Sequence, residues 1–312
     1  MSGNYSHQIC QRIEAGLIAY SCGDALGIPW EGKKAEDVKR DRIEDMQTTS
    51  WLAMGATSDD TFLTMLVAKY LTREGVDGDP VELLKSMALN LHLIKGIGPS
   101  TSKAIQNFQT KGITIATNGN TNGAAMRALP IGWALPVPEE KERRTLTYKL
   151  SRITHSGLDA IVAACTISAL ASWSLENKKL KDICQIALEE SEVCSKIYGG
   201  GEGVHEAIMK TINGEMFPYS RTLGADPAET LAAIVYCLRL SKPIRDTMIA
   251  CVSLGGDTDT TTALLGGLLG TNTTLSDLRK QLTWLDKVKL PEEADIKEVA
   301  QGLSRIRQTY LD

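Results

Sequence analysis

The chain has 312 residues, 43% hydrophobic and 23% charged, with a formal net charge of −4. That balance fits a globular protein with a large core and argues against a broad basic face for nucleic acid or for an anionic membrane. No linker, low-complexity tract or composition shift divides the chain, so one domain over residues 1–312 is expected.

The seven cysteines form no CxxC pair and lie mostly in apolar runs, so reduced, buried thiols are expected. Met1–Gln11 is polar and no apolar stretch reaches a membrane-spanning length, so neither a signal peptide nor a membrane span is expected. A cytoplasmic protein is the default that follows.

In chain order, Ile9, Ile13 and Leu17 mark a helix face running to Cys22, where Gly23 is expected to end the helix and leave Asp24 at a turn. There Asp24 is either an Asx-type cap or a site residue. Glu31 follows Pro29-Trp30 in a loop, and Lys33–Gln47 reads as charged, exposed structure. Thr57-Ser58-Asp59-Asp60-Thr61 then opens an apolar helix, Phe62–Leu71. Val81–Leu93 and Ser100–Phe108 read as helices.

The stretch Thr117–Asn122 is irregular, and with Gly119 and Gly123 it offers backbone N–H groups to an anion; Ala124–Leu129 reads as a helix starting from that turn. Arg127, one turn in, faces either a phosphate or a structural ion-pair partner. Thr154-His155 precedes a helix over Leu158–Trp173, and from the residues alone His155 is a cap or turn residue.

Further helices are expected at Leu180–Cys194, Val204–Ile212, Pro227–Leu240, Ile244–Val252, Leu275–Val288 and Ile296–Tyr310, with Gly199–Gly203 either a lid or a plain connection. Alternating β-branched runs are almost absent, so the fold class is all-α.

Ser253-Leu254-Gly255-Gly256-Asp257-Thr258-Asp259-Thr260 stands between two apolar helical runs. Either an N-cap or a metal site accounts for these acids: Asp and Thr after a Gly-rich turn commonly cap helices, while carboxylate and hydroxyl oxygens suit Mg²⁺ or Mn²⁺. Two such clusters, about 200 residues apart and each opening a helix, suggest helix N-termini converging on a pair of cations.

Five segments together resemble the ADP-ribosylglycohydrolase family. They are Gly23-Asp24-Ala25-Leu26-Gly27 with Glu31, Ser58-Asp59-Asp60-Thr61, Asn122-Gly123-Ala124-Ala125-Met126-Arg127, Thr154-His155, and Gly255-Gly256-Asp257-Thr258-Asp259-Thr260. The likeness spans roughly residues 10–270. It implies a compact orthogonal helix bundle and hydrolysis at C1 of an ADP-ribosyl group with two Mg²⁺ ions, Mn²⁺ being an alternative. Carried over by position, Ser58, Asp59, Asp60, Asp257, Asp259 and Thr260 would hold metal, and Glu31 and Asp60 would serve acid–base catalysis. Asp24, Asn122, Gly123, Ala124 and His155 would contact substrate.

The partner implied is ADP-ribose or an ADP-ribosylated protein or small molecule, with no nucleic acid or membrane. Two departures stand out: Ser58 replaces the family's Thr, and Thr271-Asn272-Thr273-Thr274-Leu275 replaces an aromatic segment expected to help hold the adenosine. The second departure keeps open an N-ribosyl hydrolase acting on a smaller, nucleoside-like substrate. A non-catalytic relative is the third reading.

Overall fold

The computed structural model describes residues 2–176, 180–215 and 224–311. Its frame is a pair of helices, Ser2–Gly27 and Thr258–Gly270, whose backbones touch. A Cβ on Gly23 would lie 2.3 Å from the Thr262 carbonyl oxygen, and one on Gly266 would lie 2.4 Å from that of Ala19. Only glycine allows an approach this close, and any side chain would push the two helices apart. Gly23 therefore does not end the first helix, as its sequence position suggests. The helix runs on to Gly27 and carries Asp24 inside its last turn.

Numbered along the chain, the α-helices are α1 Ser2–Gly27, α2 Asp59–Glu74, α3 Pro80–Leu89, α4 Pro99–Lys111, α5 Leu129–Ala134, α6 Glu140–Arg152 and α7 Leu158–Ser174. They continue with α8 Leu180–Tyr198, α9 Glu202–Ile212, α10 Pro227–Arg239, α11 Ile244–Val252, α12 Thr258–Gly270, α13 Leu275–Gln281 and α14 Glu293–Gln308. The all-α expectation holds. Among the described residues the β pairing is a single antiparallel bridge between Lys34 and Gly255.

α7 runs through the interior with Ala160–Ser172 buried all round, as a helix apolar on every face should be. α5 crosses it at Gly132, where a Cβ would meet the Ser168 carbonyl. Small aliphatics at such crossings let short helices pack closely around α7 and the α1–α12 pair. Arg12 ties two helix ends together by donating to the carbonyls of Ser174, Leu175 and Thr271 past the C-termini of α7 and α12.

α6 is a helix that periodicity missed. Its sequence is mostly charged, and only one narrow face, with Arg143, Leu146, Thr147 and Leu150, is buried. The expected helix at Ala124–Leu129 is instead a 3-10 turn at Asn122–Ala124 followed by α5, so Arg127 lies in a turn. Lys33–Gln47 is exposed for the most part but anchors itself with Ile43 and Met46 in the core. Of Gly199–Gly203, the first three residues are a short connection, with Gly200 and Gly201 packed on Leu158 and Val162 and Gly199 and Gly201 in the left-handed region, and α9 already begins at Glu202. Six of the seven cysteines are buried and all seven are free thiols.

Candidate metal centre and cleft

The first wall of the site is the start of α2. Ser58 is its N-cap, accepting from the Asp60 N–H at 3.1 Å, and this places Asp59 and Asp60 in the first turn. A second cap comes from another helix. Asp24, in the last turn of α1, accepts from the Ser58 N–H at 3.0 Å and hydroxyl at 2.8 Å, and from the Thr61 N–H at 3.1 Å and hydroxyl at 2.6 Å. The close α1–α12 crossing brings this carboxylate to the other acidic cluster: Gly27 packs directly on the Asp259 backbone.

The second wall is the start of α12. Gly255 and Gly256 both have left-handed φ, 72° and 78°, and turn the chain so that it docks on the loop after α1. The Gly32 N–H donates to Gly256 O at 2.8 Å and the Gly256 N–H to Lys33 O at 2.7 Å, which sets Glu31 beside Asp257. Asp257 occupies the N-cap position of α12, yet its carboxylate makes no capping bond. Instead it accepts from the Asn122 amide at 2.5 Å, and that amide also donates to Thr230 on α10. The N-cap reading is thus correct for the backbone and incorrect for the side chain.

Asp24, Asp60 and Asp259 are buried, and each offers an oxygen within 4.8 Å of the others. Burial raises Asp24 to about 6 even against its four hydrogen-bond donors. Burial and then the Asp24 charge raise Asp59 to about 7. Asp60 and Asp259 are pushed well up, by burial first and by neighbouring carboxylates next. Among the described residues no Lys or Arg pairs with this triad, and like charges gathered out of water cost several kcal/mol.

An all-oxygen donor set with no cation of its own fits a hard divalent ion. The hydroxyls of Ser58 and Thr260 lie 3.1 and 3.3 Å from Asp60 Oδ2 and complete the set. Glu31 stands at the mouth. Its carboxyl is raised by burial, then by the Asp257 and Asp24 charges.

Glu31, Asp59, Asp60, Asp257 and Asp259 line one side of a cleft of about 150 Å³, with Asp24 behind them. The far side is Gly123 with Thr121 and Asn122, and the mouth carries Trp51, Gly96, Gly98 and Pro99. Sequence reasoning missed Trp51. It is a large apolar side chain left 43% exposed, held at a turn by the Thr49 hydroxyl, which accepts from the Leu52 N–H at 2.9 Å. Its ring packs over Gly96, where a Cβ would be 3.1 Å from both the indole and Asp59 Oδ1. A lone Trp in a short uncharged, irregular stretch offers no periodic signal.

Three of the expected substrate contacts are set back from the cleft surface by burial. Asp24 is fully occupied as an interhelical cap and part of the carboxylate triad. Ala124 is buried behind the Gly123 turn. His155 is 0% exposed beneath the same turn, its Cε1 3.0 Å from where a Gly123 Cβ would be. Gly123 therefore lacks a side chain to make room for His155 as well as to open the cleft.

Arg127 is buried and makes no salt bridge within 4 Å among the described residues, although the Asp59 charge acts on it. It donates to Gly123 O at 2.6 Å and to the Thr154 hydroxyl at 2.5 Å. Thr154 in turn bonds His155 Nδ1 at 2.8 Å, and Nε2 lies 2.9 Å from the Thr121 hydroxyl. With the Thr121 hydroxyl donating to Ser100, it accepts from Nε2, an arrangement that assigns the ring proton to Nε2 and the Thr154 hydrogen to Nδ1. Burial and the Arg127 charge hold this histidine down at about 3, so it is neutral.

The segment after Gly270 is set apart from the cleft. It lies at the opposite end of α12 from Asp259, about 17 Å away along the axis, where Thr271–Ser276 border a different recess of about 490 Å³ with Gln8 and Arg12.

Comparison with known proteins agrees with this geometry. The chain is 25% identical to an ADP-ribosyl-[dinitrogen reductase] glycohydrolase of Rhodospirillum rubrum over 94% of this chain and 95% of that protein. It is 27% identical to the uncharacterised protein YegU of Escherichia coli over 96% and 98% of the two chains. An uncharacterised Archaeoglobus fulgidus protein is 26% identical over 81% and 85%. A solved structure titled ADP-ribosylglycohydrolase-related protein complex shares the fold, with a TM-score of 0.75 at 20% identity over 96% of this chain and 99% of that one. The ADP-ribosylglycohydrolase family profile matches residues 6–310, and the chain belongs to that family, hydrolases of ADP-ribosyl linkages.

Proposed function

We propose that residues 1–312 act as one catalytic unit, a divalent-metal hydrolase that cleaves the glycosidic bond at C1 of an ADP-ribosyl group carried by a protein side chain or a small conjugate. The observation that carries this is the buried triad Asp24, Asp60 and Asp259, of which Asp60 and Asp259 line a cleft together with Glu31 and Asp257. Ser58, Asp59, Asp60, Asp257, Asp259 and Thr260 would hold Mg²⁺ or Mn²⁺, two ions being expected, with Asp24 behind them; the bound metal would supply Lewis acidity and a water of lowered pKa.

The chain's own groups divide the remaining work. Asp60, Asp259 and Asp257 face the sugar with negative charge, which stabilises the positive charge developing at C1 as the bond breaks. Glu31, at the mouth and raised by burial first and its acidic neighbours next, is placed to take a proton from water or hand one to the leaving group. Asn122 fixes Asp257, and the Gly119–Gly123 stretch presents backbone toward a diphosphate.

One observation favours a smaller riboside instead: the cleft, at about 150 Å³, falls below the roughly 300–1,000 Å³ typical of sites that enclose a whole ligand. The deciding experiment incubates the protein with ADP-ribosyl-arginine, ADP-ribosyl-serine and simple ribosides, with Mg²⁺ and with chelator. Release of ADP-ribose that stops in chelator and returns with Mg²⁺ supports the first reading. Turnover of ribosides alone replaces it with the second, and full activity in chelator removes both.

A further inference from the structure

Beside the cleft lies a second recess of about 320 Å³ that shares only Ser58 with the proposed metal-holding residues. The two are back to back: Ser58 lines the recess and Asp59 the cleft, and Lys95 lines the recess while Gly96 lines the cleft. The recess floor is apolar, formed by Phe62, Met65 and Leu66 of α2 with Leu290 and Pro291 from the segment before α14. Three lysines ring it. Lys69 is paired with Asp295 at 2.6 Å, while Lys95 and Lys289 are exposed and have no carboxylate partner among the described residues. Against them stands Glu292, so two unpaired cations face one acid in a protein whose net charge is −4.

The cleft is too small to enclose more than part of a conjugate, so the rest of the substrate has to leave past the mouth at Trp51 and Gly96. We propose that the recess is an exosite for the modified protein itself, taking an acidic segment with an apolar side chain next to the ADP-ribosylated residue. This rests on the hydrolase reading above. The apolar floor would receive the side chain, and Lys95 and Lys289 would pair with the flanking carboxylates. Exposed charges at a rim act mainly on encounter and orientation, so the effect belongs in KM and weakens with salt.

The test compares Lys95→Glu/Lys289→Glu with wild type on three substrates: an ADP-ribosylated peptide with Glu and Leu flanks, the same peptide with Ser and Gly flanks, and free ADP-ribosyl-arginine. The expected result is a roughly ten-fold loss of kcat/KM, through KM, on the acidic peptide only, with unchanged Tm and unchanged turnover of the small conjugate. Equal loss on all three substrates, or no loss on any, overturns the exosite. Anisotropy of the labelled, unmodified acidic peptide reads the recess independently of catalysis. If no ADP-ribosyl compound is cleaved, the hydrolase reading fails on its own, and binding that ignores the lysine reversal, or that inorganic phosphate displaces, overturns the exosite separately.

Discussion

The starts of α2 and α12 look alike in sequence and are used differently. α2 is capped twice, by its own Ser58 and across the helix interface by Asp24, so its first turn is rigid and its acids are aimed by the helix. At α12 the residue in the N-cap position leaves its own N–H groups without a side-chain cap and gives its carboxylate to Asn122 and the cleft. A carboxylate diverted from capping its own helix, in a site with uncompensated acids, is available for chemistry. One that caps another helix holds the site together.

This contrast predicts where substitutions act. The largest effect is expected at the α12 side: Asp257→Ala or Asp259→Ala should lower the hydrolysis rate by at least ~100-fold, since each removes a proposed metal ligand, and should leave the fold intact. Ser58→Ala, which removes a cap worth about 1 kcal/mol, should show more in Tm than its share of rate. Rate assays beside thermal melts separate the two, and a Ser58→Ala rate lower than that of Asp257→Ala would break the comparison.

Asp24→Asn sharpens it. An amide puts N–H groups where Ser58 and Thr61 already present donors, so about 2 kcal/mol of stability should be lost, read as a lower denaturation midpoint. A variant as stable as wild type would mean that the trans cap is idle.

The smallest effect concerns the turn that aims Asn122 at Asp257, which rests on neutral His155. The folded pKa of His155, about 3, lies below its ordinary value of 6.5, so its contribution to stability is present above pH 6.5 and is lost as pH falls toward 3. His155→Gln should therefore melt below wild type at pH 7, and the gap should narrow at acid pH. The buried carboxylates have the opposite sign but are common to both proteins and cancel. A gap that widens as pH falls would show that the histidine is charged in the folded state.

Sequence by itself determined the all-α class, most helix positions and the two acidic clusters, because helical periodicity and hydroxyl–carboxylate starts are local signals. It did not reveal α6, whose single buried face is hidden among charges. Tertiary structure decided the rest. Gly23 reads locally as a helix end and is in fact the point where α1 meets α12, and that contact turns Asp24 from a turn residue into the cap that organises Ser58, Asp60 and Thr61. Whether an acid caps its own helix, caps another or stays free depends on which backbone N–H groups the packing brings within 3 Å or so, and neighbours from 34 to 231 residues away, such as Ser58 for Asp24 and Gly27 for Thr258, leave no mark in local sequence.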